Sequence, residues 1–83
     1  MRLDKFLKVS RVIKRRTVAN EACDSGRVII NGKIAKASTE VKIGDVIEIK
    51  YGEKIIKFRV RNIAAVVAKD AASDMIDFLT NED

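Results

Sequence analysis

The sequence has no histidine, no tryptophan and no proline, and its only cysteine is Cys23. With a single thiol and no histidine, it provides neither an internal disulfide, nor a Cys/His zinc cluster, nor a Ser-His-Asp or Cys-His catalytic group. No stretch approaches the ~18 consecutive apolar residues that a membrane helix requires, and the first residues lack the apolar core of a secretory signal. We therefore predict a reduced, soluble, cytoplasmic protein with no metal, cofactor, membrane association or enzymatic activity.

The chain is also short. At 83 residues it buries only about 60% of the surface that the unfolded chain exposes, so its 47% hydrophobic residues are needed for one thin core. Nothing in the composition marks a linker, a repeat or a low-complexity segment. We predict a single α+β domain over residues 1–83.

The charge is unevenly placed. The chain has 17 basic and 12 acidic residues, a formal net charge of +5, but residues 1–36 alone carry a net +7 and residues 70–83 hold five acidic and no basic side chains. A polyanion attracts the basic first half of the chain electrostatically and repels the acidic end. This asymmetry predicts a nucleic-acid partner.

The first half is predicted to form two short helices. At about 100° per residue, Leu3, Phe6 and Leu7 share one face of a helix, and basic residues take the opposite face until the phase breaks near Ser10. A second helix is predicted from Arg15 to Ser25, ended by Gly26. Its predicted buried residues are Val18, Ala19, Ala22 and Cys23.

The start of the second helix is electrostatically unusual. Lys14, Arg15 and Arg16 crowd the positive end of the helix dipole, and no Ser, Asp or Asn precedes them as a cap, while Thr17 could cap only a shorter helix. A bound phosphate would neutralise the cations and accept hydrogen bonds from the free N–H groups. The alternative interpretation is a solvated basic helix face.

The middle of the chain predicts four or five short antiparallel strands. Residues 28–30 and 33–35 flank Asn31-Gly32, a pair suited to a type I′ hairpin turn. Strands are also predicted at 41–43 and 46–49, on either side of Gly44-Asp45, and at 54–61, where Ile56, Phe58 and Val60 alternate with basic residues.

The last segment has helical spacing. A C-terminal helix is predicted over residues 69–80, capped by Asp70 and burying Ala72, Met75, Ile76 and Leu79.

Phe6, Phe58 and Phe78 all fall on apolar faces and are predicted in the core. Because few aromatic rings are left for the surface, recognition of a nucleic acid through phosphate position and backbone shape is favoured over base stacking.

Five sequence pieces resemble the S4 RNA-binding domain, a fold built on the αL motif, and together they cover residues 2–50. They are Arg2-Leu3-Asp4, Arg16-Thr17-Val18-Ala19, Gly26-Arg27-Val28, Ile30-Asn31-Gly32-Lys33 and Gly44-Asp45-Val46-Ile47. The resemblance implies an S4 core over 2–50, and the pattern of the remaining residues predicts an additional strand and loop over 51–68 and the helix at 69–80. It also implies that the two helices and the first hairpin form the RNA-binding surface. Joined to the basic residues noted above, the candidate RNA-binding residues are Arg2, Lys5, Lys8, Arg11, Lys14, Arg15, Arg16, Thr17, Arg27, Asn31 and Lys33.

Over nearly the whole chain the sequence is similar to stand-alone S4 proteins of ribosome-associated quality control and the related small heat-shock S4 proteins. This implies a non-catalytic factor that binds obstructed large ribosomal subunits carrying peptidyl-tRNA and contacts both ribosomal RNA and the tRNA. It further implies a partner, a tailing factor that adds alanine to the stalled chain. Nothing in the sequence indicates an obligate dimer, and we expect a monomer. Two alternatives remain open: a binder of another structured RNA, such as free tRNA or a messenger leader, and a protein-interaction module.

Overall fold

The computed structural model describes residues 1–63 and 75–79, in which two helices precede an antiparallel sheet. The helices are α1 (Leu3–Val9) and α2 (Arg16–Asp24), and the strands are β1 (Val28–Ile30), β2 (Lys33–Ile34), β3 (Val46–Tyr51), β4 (Lys54–Val60) and β5 (Ile76–Phe78). The strands lie in the order β2-β1-β3-β4-β5, and each neighbouring pair is antiparallel. The predicted α+β class is confirmed.

Helix α1 ends where the sequence predicted. Leu3, Phe6 and Leu7 are fully buried, and the helix stops at Ser10, whose N–H donates to the Phe6 carbonyl at 2.9 Å. The next residue, Arg11, has a φ of 64°, the left-handed conformation that usually belongs to glycine after a helix. This turn redirects the chain before α2 begins.

Helix α2 buries Ala19, Ala22 and Cys23 as predicted, but not Val18, which is 45% exposed. Val18 precedes Ala19 by about 100° around the helix axis, which places it at the margin of the buried face. The prediction for Val18 is therefore wrong, and its side chain is part of the protein surface.

One cluster of buried side chains joins the helices to the sheet. The sheet contributes the alternate residues of its inner face. On the central strand β3, Ile47 lies opposite Phe58 of β4 and Ile49 lies opposite Val28 of β1. The hairpin turn has the predicted geometry, since Asn31 and Gly32 have φ values of 50° and 86°.

The segment between β2 and β3 differs from the prediction. Residues 41–43 form no strand, although Val41 is buried. The segment instead follows the first residues of the chain: the N–H groups of Leu3 and Asp4 donate to the carbonyls of Thr39 and Ala37, at 2.8 and 3.2 Å. Loop carbonyls thus satisfy the first N–H groups of α1, a long-range pairing that local alternation does not reveal.

The predicted C-terminal helix is wrong over residues 76–78, which form β5, while 69–74 and residue 80 lie outside the described residues. Met75 and Ile76 are buried as predicted, but Leu79 is 39% and Phe78 65% exposed. Strand β4 offers an edge of unpaired backbone groups, and pairing with it overrides the helical spacing. Phe78 still meets the core at its rim, where its ring packs edge-on against Phe58.

Candidate nucleic-acid interface

A buried carboxylate, Asp4, organises the region where α1 and α2 begin. Its side chain is 3% exposed and lies 3.2 Å from Nε of Arg2 and 3.5 Å from Nη2 of Arg16. Asn20 of α2 donates to the same carboxylate at 3.3 Å, and the backbone N–H of Lys5 donates at 2.8 Å. Asp4 therefore holds two guanidinium groups, one from each helix start, side by side at the surface.

The environment of Asp4 keeps it ionised. Burial raises the pKa of a carboxyl, but the hydrogen bonds from the neighbouring amide, guanidinium and backbone groups stabilise the charged form and outweigh burial. The pKa of Asp4 consequently lies below its ordinary value of 3.8. At neutral pH the site contains a fixed negative charge beneath two positive ones.

The sequence analysis missed Asp4 and Asn20 as parts of the site. One signal was available: on a helix with about 100° per residue, Asp4 lies only about 60° from Leu7, at the edge of the apolar stripe. A carboxylate at that position requires partners when it is buried. The identity of those partners depends on how α2 packs against α1.

Arg2 and Arg16 are the two predicted residues that the structure brings together. Their side chains remain 53% and 46% exposed while they bond to Asp4. A guanidinium has five N–H donors in a rigid plane, so each arginine retains donors that point to solvent. The pair is suited to binding a phosphate without losing its contact with Asp4.

A groove of about 390 Å³ opens beside this pair and is lined by Asp4, Arg16, Thr17, Asn20 and Glu21. As predicted, the start of α2 has no side-chain cap, and its first turn also contains no acidic residue. Within the described residues, the N–H groups of Arg16, Thr17 and Val18 have no hydrogen-bond partner. Arg16 and Thr17 line the groove, so their N–H groups are available to an anion there.

The other predicted basic residues lie on α1, in the α1–α2 connection and at the first hairpin. Lys5 is half-buried, and the rest are exposed: Lys8, Arg11, Lys14, Arg15, Arg27 and Lys33. In residues 1–63 and 75–79, no carboxylate lies within salt-bridge distance of any of them. A surface of this kind attracts a polyanion because its cations form no ion pair with the acids of the described residues.

Asn31 has a different role from a free surface residue. Its amide nitrogen donates to Asp45 at 3.1 Å, and its amide oxygen accepts from the N–H of Val46 at 3.0 Å. Both ends of the side chain connect the β1–β2 turn to the start of β3. Asn31 thereby sets the position of the hairpin that carries Lys33.

The only thiol is poorly suited to chemistry. Cys23 is 1% exposed, and burial together with the charges of Asp4 and Asp24 raises its pKa to about 11. No three His, Cys, Asp or Glu residues in the described ranges are grouped to hold a metal ion. No helix of residues 1–63 or 75–79 has the length and apolar character needed to cross a membrane.

The sequence of this chain is similar to those of several known proteins. The profile of the S4 domain matches residues 1–47. An RQC P-site tRNA stabilizing factor of Halalkalibacterium halodurans is 49% identical over 82 residues, covering 99% of this chain and 93% of that protein. The protein of the same name in Bacillus subtilis is also 49% identical, covering 99% of this chain and 95% of its own.

A solved structure supports the same assignment. The trimeric heat shock protein 15 of Vibrio cholerae superposes with a TM-score of 0.86 at 29% identity, over 94% of this chain and 80% of that one. The five sequence pieces, the order of the elements and the matched profile agree. This chain belongs to the S4 domain family.

Proposed function

We propose that this protein is a non-catalytic RNA-binding factor of ribosome-associated quality control. In this role it binds large ribosomal subunits obstructed by peptidyl-tRNA, contacts ribosomal RNA and the tRNA, and supports alanine tailing by a partner factor. It acts as a monomer in the cytoplasm. The names of the relatives, which are P-site tRNA stabilizing factors, and the basic interface of α1 and α2 support this proposal.

The observation that carries the proposal is the arginine pair held by Asp4. Arg2 and Arg16 are oriented before any ligand arrives, so less side-chain entropy is lost when they bind a phosphate. The uncapped N–H groups of Arg16 and Thr17 add neutral donors in the groove beside Arg16. This combination of oriented forks and backbone donors is suited to the phosphates of a structured RNA.

The remaining candidate residues extend the contact. Lys5 and Lys8 extend the positive surface along α1, and Arg11, Lys14 and Arg15 lie in the connection between α1 and α2. Arg27 and Lys33 extend it toward the hairpin. Thr17 contributes to the groove itself, and Asn31 keeps the hairpin in position. Each phosphate that these side chains neutralise releases counterions, which makes binding strongly dependent on salt.

The test is co-sedimentation of the purified protein with large ribosomal subunits, with and without peptidyl-tRNA, across a range of salt concentrations. We expect binding to strengthen with peptidyl-tRNA and to weaken with salt. Arg16→Ala should lower the slope of log K against log salt by roughly 0.7 to 0.9, the value of one phosphate contact. Arg16→Lys should restore the charge but not the forked geometry, and should bind at an intermediate strength.

The matched control is Lys54→Ala, which removes an exposed cation at the start of β4. It should leave the slope and the effect of peptidyl-tRNA unchanged. Equal binding to free tRNA and to subunits would favour the alternative of a general binder of structured RNA. Absence of binding to both, or complexes that resist salt and ribonuclease, would contradict the proposal and favour a protein-interaction module.

A further inference from the structure

A second hollow, which shares only Glu21 with the groove beside Arg16, lies between α2 and the end of the β1–β3 pair. It has a volume of about 170 Å³ and is lined by Ile13, Val18, Glu21, Ala22, Ser25, Arg27 and Lys50. This volume is well below the ~300–1,000 Å³ of pockets that enclose a drug-sized ligand. The hollow suits one small ring system with a charged group attached.

The floor of the hollow is apolar and its shape is held by the fold. Ile13 is 5% and Ala22 7% exposed, and beside them lies Val18, the residue of α2 that sequence reasoning had placed in the core. The hydroxyl of Ser25 donates to the carbonyl of Ala22 at 3.0 Å and so is committed within the helix. An apolar floor of this kind accepts the flat face of a base that has left its stack.

Two basic residues, Arg27 and Lys50, lie opposite each other in the backbone pairing, and both line the hollow. The N–H of Lys50 donates to the carbonyl of Arg27 at 2.9 Å, one step beyond the paired residues Val28 and Ile49. Like charges directly opposite one another on neighbouring strands destabilise a sheet. No carboxylate of the described residues lies within salt-bridge distance of either side chain. A phosphate between the two would relieve their repulsion.

An unpaired acid lines the same hollow. Glu21 is exposed, and within residues 1–63 and 75–79 its carboxylate makes no hydrogen bond or ion pair. An ionised carboxylate only accepts hydrogen bonds. Guanine is the RNA base with two adjacent donors, N1–H and the 2-amino group, on its Watson–Crick edge, whereas adenine and cytosine offer one amino group and uracil one N–H between two carbonyls.

From these three features we infer that the hollow binds an unstacked guanine nucleotide of the RNA. The base lies on Ile13, Val18 and Ala22, the Glu21 carboxylate accepts from its N1–H and 2-amino group, and Arg27 and Lys50 hold its phosphate. The inference rests on the proposed function and deepens it, because it adds base recognition to a surface that otherwise recognises phosphates.

The test uses mononucleotides as probes. The isotope-labelled protein is titrated with GMP, IMP, AMP, UMP and guanosine while the methyl resonances of Ile13, Val18 and Ala22 are followed by NMR. GMP should shift these methyl signals and bind at least about fivefold more tightly than AMP or UMP, the discrimination that one two-donor base contact supplies. IMP, which lacks the 2-amino group, should bind with an affinity between that of GMP and those of AMP and UMP. Guanosine should bind more weakly than GMP.

Two variants with matched controls assign the contacts. Glu21→Gln should abolish the preference for GMP over AMP, while Glu53→Gln in the β3–β4 turn should preserve it. Lys50→Gln should reduce the advantage of GMP over guanosine, while Lys54→Gln should not. The inference is overturned if GMP leaves the methyl signals unshifted, if the nucleotides bind alike, or if Glu21→Gln retains the preference.

The outcome is separable from that of the proposed function. The same preparation is tested for binding to large subunits with Arg16→Ala as a control. If binding to subunits depends on Arg16 but no nucleotide occupies the hollow, the proposed function stands and the guanine site is refuted. If GMP binding depends on Glu21 but the subunits are ignored, the guanine site stands and the ribosomal assignment is refuted.

Discussion

Replacing Asp4 by asparagine tests whether the buried carboxylate organises both arginines and the fold around them. The substitution keeps the size of the side chain but removes its charge and one acceptor oxygen. The asparagine amide would then face the donors of Arg2 and Asn20, leaving a polar group unsatisfied in a site that is 3% exposed.

The magnitude follows from the contacts. Hydrogen bonds to a charged group contribute about 1.5–3 kcal/mol each when fully buried. Arg2 and Arg16 are about half exposed, so water replaces part of what they lose. We therefore expect Asp4→Asn to lower the free energy of unfolding by about 2–3 kcal/mol in total, or about 10–20 °C in Tm for a domain of this size.

The pH dependence gives a second readout. The pKa of Asp4 is lowered in the folded state, so the carboxylate stabilises the fold fully above the ordinary value of 3.8, and this stabilisation is lost as the pH falls through the folded value. The stability difference between the native protein and Asp4→Asn should thus be constant near neutral pH and shrink below pH 3.8.

Urea denaturation followed by circular dichroism at several pH values measures both effects. Asp24→Asn is the matched control: it changes an exposed carboxylate at the end of α2 that forms no ion pair among the described residues. It should be neutral or slightly stabilising, since an acid is unfavourable at a helix C-terminus. If Asp4→Asn falls within about 0.5 kcal/mol of the native protein, within the ordinary range for surface substitutions, Asp4 does not organise the site.

Three further outcomes are expected. Arg11→Gly should raise the free energy of unfolding by about 0.5–1 kcal/mol, because Arg11 has a φ of 64°, while weakening RNA binding; no gain in a thermal melt would contradict the strain. Cys23, with a pKa of about 11, should react with iodoacetamide at pH 8 at least about 100-fold faster in denaturant than in the folded protein, and equal rates would show an accessible thiolate. Asn31→Ala should lower the free energy of unfolding by about 1–2 kcal/mol, because the hydrogen bonds to Asp45 and Val46 are lost. If chemical denaturation shows an unchanged free energy of unfolding, Asn31 does not hold the β1–β2 turn against the start of β3.

Local pattern was sufficient for the helices and the first hairpin. The apolar spacing of Leu3, Phe6 and Leu7 predicted α1, and the Asn31-Gly32 pair predicted its turn, because both depend on interactions between near neighbours in the chain. The missing cap of α2 was equally visible, since a cap is a residue type at one position. The S4 profile over residues 1–47 agrees with the five sequence pieces that pointed to the family.

Local pattern failed where distant segments meet. Ile76–Phe78 have helical spacing with Met75 and Leu79, yet they form β5 because the edge of β4 provides backbone partners that no local window contains. Residues 41–43 failed for the same reason, since their segment pairs with the start of the chain rather than with a strand. Val18 lies at the margin of the helix face, where the neighbouring elements decide its burial.

The sequence by itself determined the chemical groups of this protein: a basic first half, an uncapped basic helix start, a single cysteine and no histidine. Charge and residue type are properties of single positions and need no fold to be read. Only the tertiary structure decided how these charges are arranged. It buried Asp4 between Arg2, Arg16 and Asn20, and it set Arg27 and Lys50 opposite each other above an apolar floor. Both arrangements join residues from separate elements, and their geometry exists only once helix and sheet packing has brought those elements together.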